Sequence, residues 1–142
     1  MASPSQSLSG KTALVTGARG IGAAVARALA ADGADVAIGY STSVLKAEAL
    51  VRELKSLGAR AIAFPADQSK PAQAARLIRQ VIDTFGRLDI LVNDAGVATP
   101  LSGAANRFAT SEDIASAVAH LASPGALCAT GTVPTVDGGL TA

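Results

Sequence analysis

The sequence predicts an α/β domain of three layers, a parallel sheet with helices on both faces. Three observations predict it. Short apolar runs alternate four times with amphipathic segments across brief breaks, the order expected of parallel strands joined by right-handed crossovers. Apolar residues make up 49% of the chain but aromatic residues only 3%. A core of Ala, Val, Leu and Ile follows, and it suits helices packed closely on a buried sheet. Finally, the first apolar run ends in a glycine-spaced turn that opens into an alanine-rich segment. The 142 residues suffice for one core, so residues 1–142 are expected to form a single domain.

Each element has its own signals. Met1 to Ser9 is polar and Ser-rich and reads as a loose arm, followed by a first strand over Lys11–Thr16. A helix spans Gly20–Asp32, because Ile21, Val25 and Leu29 recur at four-residue spacing and Gly33 stops it. Asp35–Gly39 is a second strand. Ser43 is a cap for a helix over Val44–Leu57, with Leu50, Leu54 and Leu57 facing inward and Gly58 closing it. Arg60–Pro65 is a third strand. Ser69 and Pro71 start a third helix whose inner face is Ala74, Leu77, Ile78, Val81, Ile82 and Phe85, and Gly86 ends it. Leu88–Asn93 is the fourth strand. Val97 to Phe108 has no period and reads as an irregular connection. Thr110 with Asp113 three residues on predicts a capped helix over Ser111–Ala122. Thr130–Val136 reads as a last strand, and Asp137-Gly138-Gly139 turns out of it.

In such sheets ligands sit beyond the carboxyl ends of the strands. Thr16-Gly17, Tyr40-Ser41, Asp67-Gln68 and Asn93–Gly96 all fall there. The turn Gly17-Ala18-Arg19-Gly20-Ile21-Gly22 lets the backbone approach a bound group, and the helix N-terminus behind it favours an anion, usually a pyrophosphate. Bulk properties exclude other classes. A net charge of +1 gives no strong field for nucleic acid or an anionic membrane. No apolar stretch is long enough to span a bilayer, and Met1 to Gly10 carries no secretory pattern. The single Cys128 forms no internal disulfide. A cytoplasmic location is the expectation, with no metal site.

Taken in order, these motifs resemble the short-chain dehydrogenase/reductase family, especially its 3-oxoacyl-carrier-protein reductases. The resemblance runs in two blocks. Residues 8–100 look like the dinucleotide-binding half, with Thr16-Gly17 and Gly20-Ile21-Gly22, Asp67, and an Asn93-Asp94-Ala95-Gly96 variant of Asn-Asn-Ala-Gly. Residues 107–142 look like the C-terminal helix–strand block, with Ser111-Glu112-Asp113-Ile114-Ala115, Leu121-Ala122-Ser123 and Val136-Asp137-Gly138-Gly139. The resemblance implies a Rossmann-like sheet in the order 3-2-1-4 plus the final strand. It implies a dinucleotide held by Gly17, Arg19, Gly20, Ile21, Gly22, Tyr40, Ser41, Asp67, Gln68, Asn93, Ala95 and Gly96. Arg19 with Ser41, and no acid ending the second strand, favours NADP(H) over NAD(H).

Two departures matter. The glycine turn has two residues, not three, between its first glycines, which removes ~3.5 Å of chain where it would curve around a pyrophosphate. The family's centre, with its catalytic Asn, Ser and Tyr-x-x-x-Lys, is missing between the blocks. The only tyrosine is Tyr40, and Val44, not lysine, stands four residues on. His120 reads as a packing-helix residue. No catalytic residue is therefore expected, and apolar surface left uncovered favours self-association. Three readings stay open: a shortened relative that binds NADP(H) without turnover, an NADP-dependent ketoreductase whose middle is absent from this sequence, and a non-enzymatic α/β scaffold or interaction module.

Overall fold

The structure is a computed structural model that describes residues 6–94, 110–132, 134 and 136. The elements run β1 (Thr12–Thr16), α1 (Gly20–Ala31), β2 (Asp35–Tyr40), α2 (Val44–Ser56), β3 (Ala61–Pro65), α3 (Pro71–Phe85), β4 (Ile90–Asn93) and α4 (Ser111–Ala122), with a short 3-10 turn at Pro124–Ala126. The sheet is parallel in the order β3-β2-β1-β4, as the sequence predicts. Strand β1 lies at its centre and every residue in it is buried.

Alternation along the strands divides the core in two. Ala13, Val15, Val36 and Ile38 point to one face and pack with Val25 and Leu29 of α1, Leu50 and Leu54 of α2, and Ala115 of α4. The many alanines of α1 let the helix sit close to the sheet while α4 packs against it. Leu14 and Ala37 point the other way, toward Leu77 and Val81 of α3. A leucine buried like Leu77 contributes roughly 2 kcal/mol relative to a solvated one.

That second face is incompletely covered. Ile62, Ala37, Leu14 and Leu91 form one row across β3, β2, β1 and β4. Leu14 is 1% exposed and Leu91 47%, because α3 covers the middle of the row and not its β4 end.

Several expectations need correction. The first residues are not all a loose arm: Leu8 is buried and its N–H donates to the Asp32 carbonyl at 2.9 Å. Ser43 makes no side-chain cap to α2, and Lys70, not Ser69, precedes α3. The Ser69 hydroxyl is turned instead to Asp67 Oδ1 at 2.6 Å. Leu57 and Ile82 are exposed, since Leu57 lies past the last turn of α2 and Ile82 flanks the stripe centred on Leu77 and Val81. Within Thr130–Val136, the described residues form no strand; Gly131 is left-handed at φ 68° and Pro134 lacks an N–H for a ladder. Val97 to Phe108 and Asp137-Gly138-Gly139 lie outside the described residues.

Candidate functional site

The carboxyl ends of β1, β2 and β4 meet the first turn of α1, and a cleft of about 200 Å³ opens there. Gly17 leaves β1 at φ 123°, a conformation open to glycine, while its N–H still donates to the Gly39 carbonyl of β2 at 2.8 Å. Three residues later, at Gly20, the chain enters α1. Gly22, in that first turn, is packed so tightly that a β-carbon would lie 2.6 Å from the Gly17 carbonyl oxygen. The shortened turn therefore closes by bringing backbone against backbone.

Of the residues that the sequence assigns to the site, Gly17, Arg19, Tyr40, Ser41 and Gln68 line this cleft. Arg19 is exposed and has no ion-pair partner among the described residues. Gly20 faces an adjoining cleft of about 420 Å³ between α1, α2 and the start of α4. Arg19 stands between the two. In the second cleft Arg27 is already neutralised by Glu53, bidentate at 2.7 and 3.1 Å, while Lys46 lies at its rim. The Arg27 bond holds the Glu53 carboxyl below its ordinary range. Ile21 and Gly22 sit behind the turn, within α1.

Asp67 and Asn93 are not brought into the cleft. Asp67 is bound up in the turn before α3, where its Oδ1 accepts from the Ser69 N–H at 3.0 Å and from the Ser69 hydroxyl. The hydroxyl bond, foremost, lowers its pKa. Asn93 ends β4 beside Thr16 and is exposed. Ala95 and Gly96 lie outside the described residues. Thr42 and Ser43, which the sequence did not single out as binding residues, do line the cleft; their place directly after the β2 end was the available signal.

Two features bear on what the cleft can hold. The Gln68 Nε2 atom is buried with no hydrogen-bond partner among the described residues, a donor left over beside the cleft. Asp94 also lines it, with its carboxylate set against Gly22 in the first turn of α1. Burial pushes the Asp94 pKa up, opposed by the neighbouring Gly22 N–H. The backbone, Arg19 and Gln68 thus fit an anionic, acceptor-rich nucleotide, and Asp94 alone carries the wrong sign for it.

Among the described residues, no tyrosine–lysine pair lines the cleft. Tyr40 ends β2, with Val44 four residues on. His120 is exposed in the last turn of α4, about 12 Å along the helix from Glu112, which reaches the second cleft. Among the described residues no helix is long and apolar enough to cross a membrane.

The model of the family described as short chain dehydrogenase matches residues 11–134. An uncharacterized oxidoreductase of Methylorubrum extorquens is 50% identical over 91 residues, 63% of this chain and 37% of that protein. A 3-oxoacyl-acyl-carrier-protein reductase of Staphylococcus epidermidis is 46% identical over 88 residues, 61% of this chain and 36% of its own length. Among solved structures, a short chain dehydrogenase from Burkholderia cenocepacia in complex with NADP superposes with a TM-score of 0.63 at 42% identity, over 86% of this chain and 51% of that one. The chain thus spans little more than a third of the curated relatives it matches.

Proposed function

Because the chain belongs to the short-chain dehydrogenase family, we propose that it binds a nicotinamide dinucleotide, NADP(H) ahead of NAD(H), without catalysing ketone reduction by itself. The observation that carries this reading is the pairing of Arg19, with no ion-pair partner among the described residues, and Ser41 on one cleft whose β2 end bears no acid. An Asp there would bind ribose hydroxyls and repel a 2′-phosphate; a guanidinium and a hydroxyl attract one. Gln68 supplies a free donor for a purine acceptor, and the Gly17 turn supplies backbone close to the pyrophosphate. The relative from Burkholderia cenocepacia, crystallised with NADP, supports the same choice.

When bound, the dinucleotide supplies a hydride. A ketone also needs its oxygen held and a proton delivered as the alkoxide develops, tasks that a Tyr, Lys and Ser would perform. This sequence offers no tyrosine except Tyr40 and no lysine four residues after it. Binding without turnover follows. The exposed Cys128 supports a reducing, cytoplasmic setting. The uncovered Leu91 end of the sheet supports self-association.

Titrating the 142-residue chain with NADPH, followed by nicotinamide fluorescence, tests the reading. Saturable binding with no reduction of an acetoacetyl substrate is expected. Absence of binding would leave an α/β scaffold, and enzyme-like turnover would refute the missing acid. A second reading, a longer NADP-dependent ketoreductase, is favoured by one observation: relatives match over little more than a third of their length while the family model runs through residues 11–134. Sequencing the gene between the codons for Gly96 and Arg107 decides that.

A further inference from the structure

We propose that Asp94 is a built-in competitor for the dinucleotide's pyrophosphate, a carboxylate seated at the N–H end of α1 that sets the affinity and pH dependence of the cleft. The inference rests on the dinucleotide reading above. Its ground is a contact between residues far apart in sequence. Asp94 follows β4, and its N–H donates to Thr16 Oγ1 at 3.0 Å, whose hydroxyl lies 3.3 Å from the Val92 carbonyl. That anchor points the side chain at the glycine turn. Asp94 Oδ2 stands where a β-carbon on Gly22 would be 2.8 Å away and one on Gly17 3.3 Å away. The missing side chains of two glycines make the space the carboxylate fills.

The helix end has no competing group on its own element. Arg19, at the N-cap, gives no side-chain cap, and the first turn of α1 has no acidic residue. Asp94, just past β4, sets its carboxylate against that helix end instead. An anionic ligand entering at this turn meets a negative charge already seated beside Gly22 and Gly17. Protonating Asp94, or replacing it by asparagine, removes the charge and keeps an oxygen for Gly22. Thr16 of β1 and Gln68 are neutral; the other titratable or charged groups lining the cleft are Arg19 from α1's N-cap and Tyr40 from β2. Arg19 attracts the carboxylate and the ligand alike, so it does not reverse the sign. Burial favours the neutral carboxyl and so raises the pKa of Asp94. Affinity for the dinucleotide therefore falls as pH rises through the Asp94 titration.

The test is calorimetric titration of NADP⁺ into the 142-residue chain and its Asp94→Asn variant, from pH 5 to pH 8. The ratio of the two Kd values is read, because the ligand's own phosphate also titrates near pH 6. At pH 8 the variant is expected to bind about tenfold more tightly, the scale of one like-charge contact at a partly exposed site; the ratio should shrink toward one as pH falls. A ratio near one at every pH, with binding intact in both proteins, overturns the competitor while the dinucleotide reading stands. No binding in either protein at any pH overturns both. Asp94→Ala, which loses the acceptor as well, separates charge from support: if Asp94→Ala tightens binding and Asp94→Asn does not, the carboxylate acts by bulk and the proposal fails.

Discussion

Gly22 and Gly17 touch backbone to backbone, and a β-carbon on Gly22 would lie 2.6 Å from the Gly17 carbonyl oxygen. No side-chain rotation relieves such a contact, because the atom it meets is main chain. Gly22→Ala must push the turn away from α1, and is expected to cost about 1–3 kcal/mol of stability, the range for overpacking a tight site. Gly125→Ala, whose β-carbon meets nothing closer than 3.5 Å, is the control and should change stability by less than about 0.5 kcal/mol. Urea denaturation of both variants measures the difference; equal midpoints would show that the turn yields freely.

Asp89 ties the edge strand β4 to the inner strand β1 at their start. Its Oδ2 accepts from the buried Thr12 N–H at 2.9 Å, and Arg87 grips both carboxylate oxygens at 2.7 and 2.8 Å. Asp89→Ala strands the Thr12 N–H and should cost about 1–3 kcal/mol, whereas Asp89→Asn keeps an acceptor and should cost less than about 1 kcal/mol. The Arg87 hydrogen bond, foremost, holds the Asp89 carboxyl below its ordinary range. Its contribution is present above the usual carboxylate pKa and is lost as pH falls through the folded value. The gap between wild type and Asp89→Asn, measured by urea denaturation, should therefore narrow from pH 7 to pH 3; a gap that widens would reverse the sign.

How much of this was readable depends on how local the cause is. The alternation of β1 to β4 with α1 to α3 was legible because each element carries its own period and a glycine stop, such as Gly33 or Gly86, within a few residues. The Thr110–Asp113 capping box was legible for the same reason: Asp113 N–H to Thr110 Oγ1 at 3.1 Å and Thr110 N–H to Asp113 Oδ2 at 2.8 Å are formed within one turn. Ser43 and Ser69 failed as caps because a serine before a helix has other partners in reach, as Ser69 shows with Asp67. In the cleft, Arg19, Tyr40, Ser41 and Gln68 were findable as residues just past strand ends. The approach of Asp94 to Gly22 was not, since it exists only through the register that lays β4 beside β1. The pattern of Thr130–Val136 predicts a strand that its described residues do not form, because Gly131 is left-handed and Pro134 lacks an N–H for a ladder.

Leu91 offers a test of what the uncovered sheet face does. It shares a row with the buried Leu14 but is nearly half exposed. If copies of the chain associate there, Leu91→Lys should shift sedimentation velocity toward the monomer, since a charge at an apolar contact is desolvated without a partner. Stability of the monomer should fall by no more than about 1 kcal/mol, because nearly half of the side chain is already in water. A variant that associates as strongly as wild type would move the contact to another surface.

Arg19 should separate the two dinucleotides. Its guanidinium is exposed on the cleft and without an ion-pair partner among the described residues, so removing it leaves no buried charge behind. A contact from it to a 2′-phosphate is worth about 1.5 kcal/mol at such a site, the low end for hydrogen bonds to charged groups. Arg19→Ala is therefore expected to weaken NADPH binding about tenfold and leave NADH binding within about twofold, by fluorescence titration at low salt. Because the interaction is between exposed charges, added salt should erode the wild-type preference and barely move the variant. If Arg19→Ala weakened both dinucleotides equally, the guanidinium would be acting on the shared pyrophosphate, and the preference would have to come from Ser41, Thr42 or Ser43 at the end of β2.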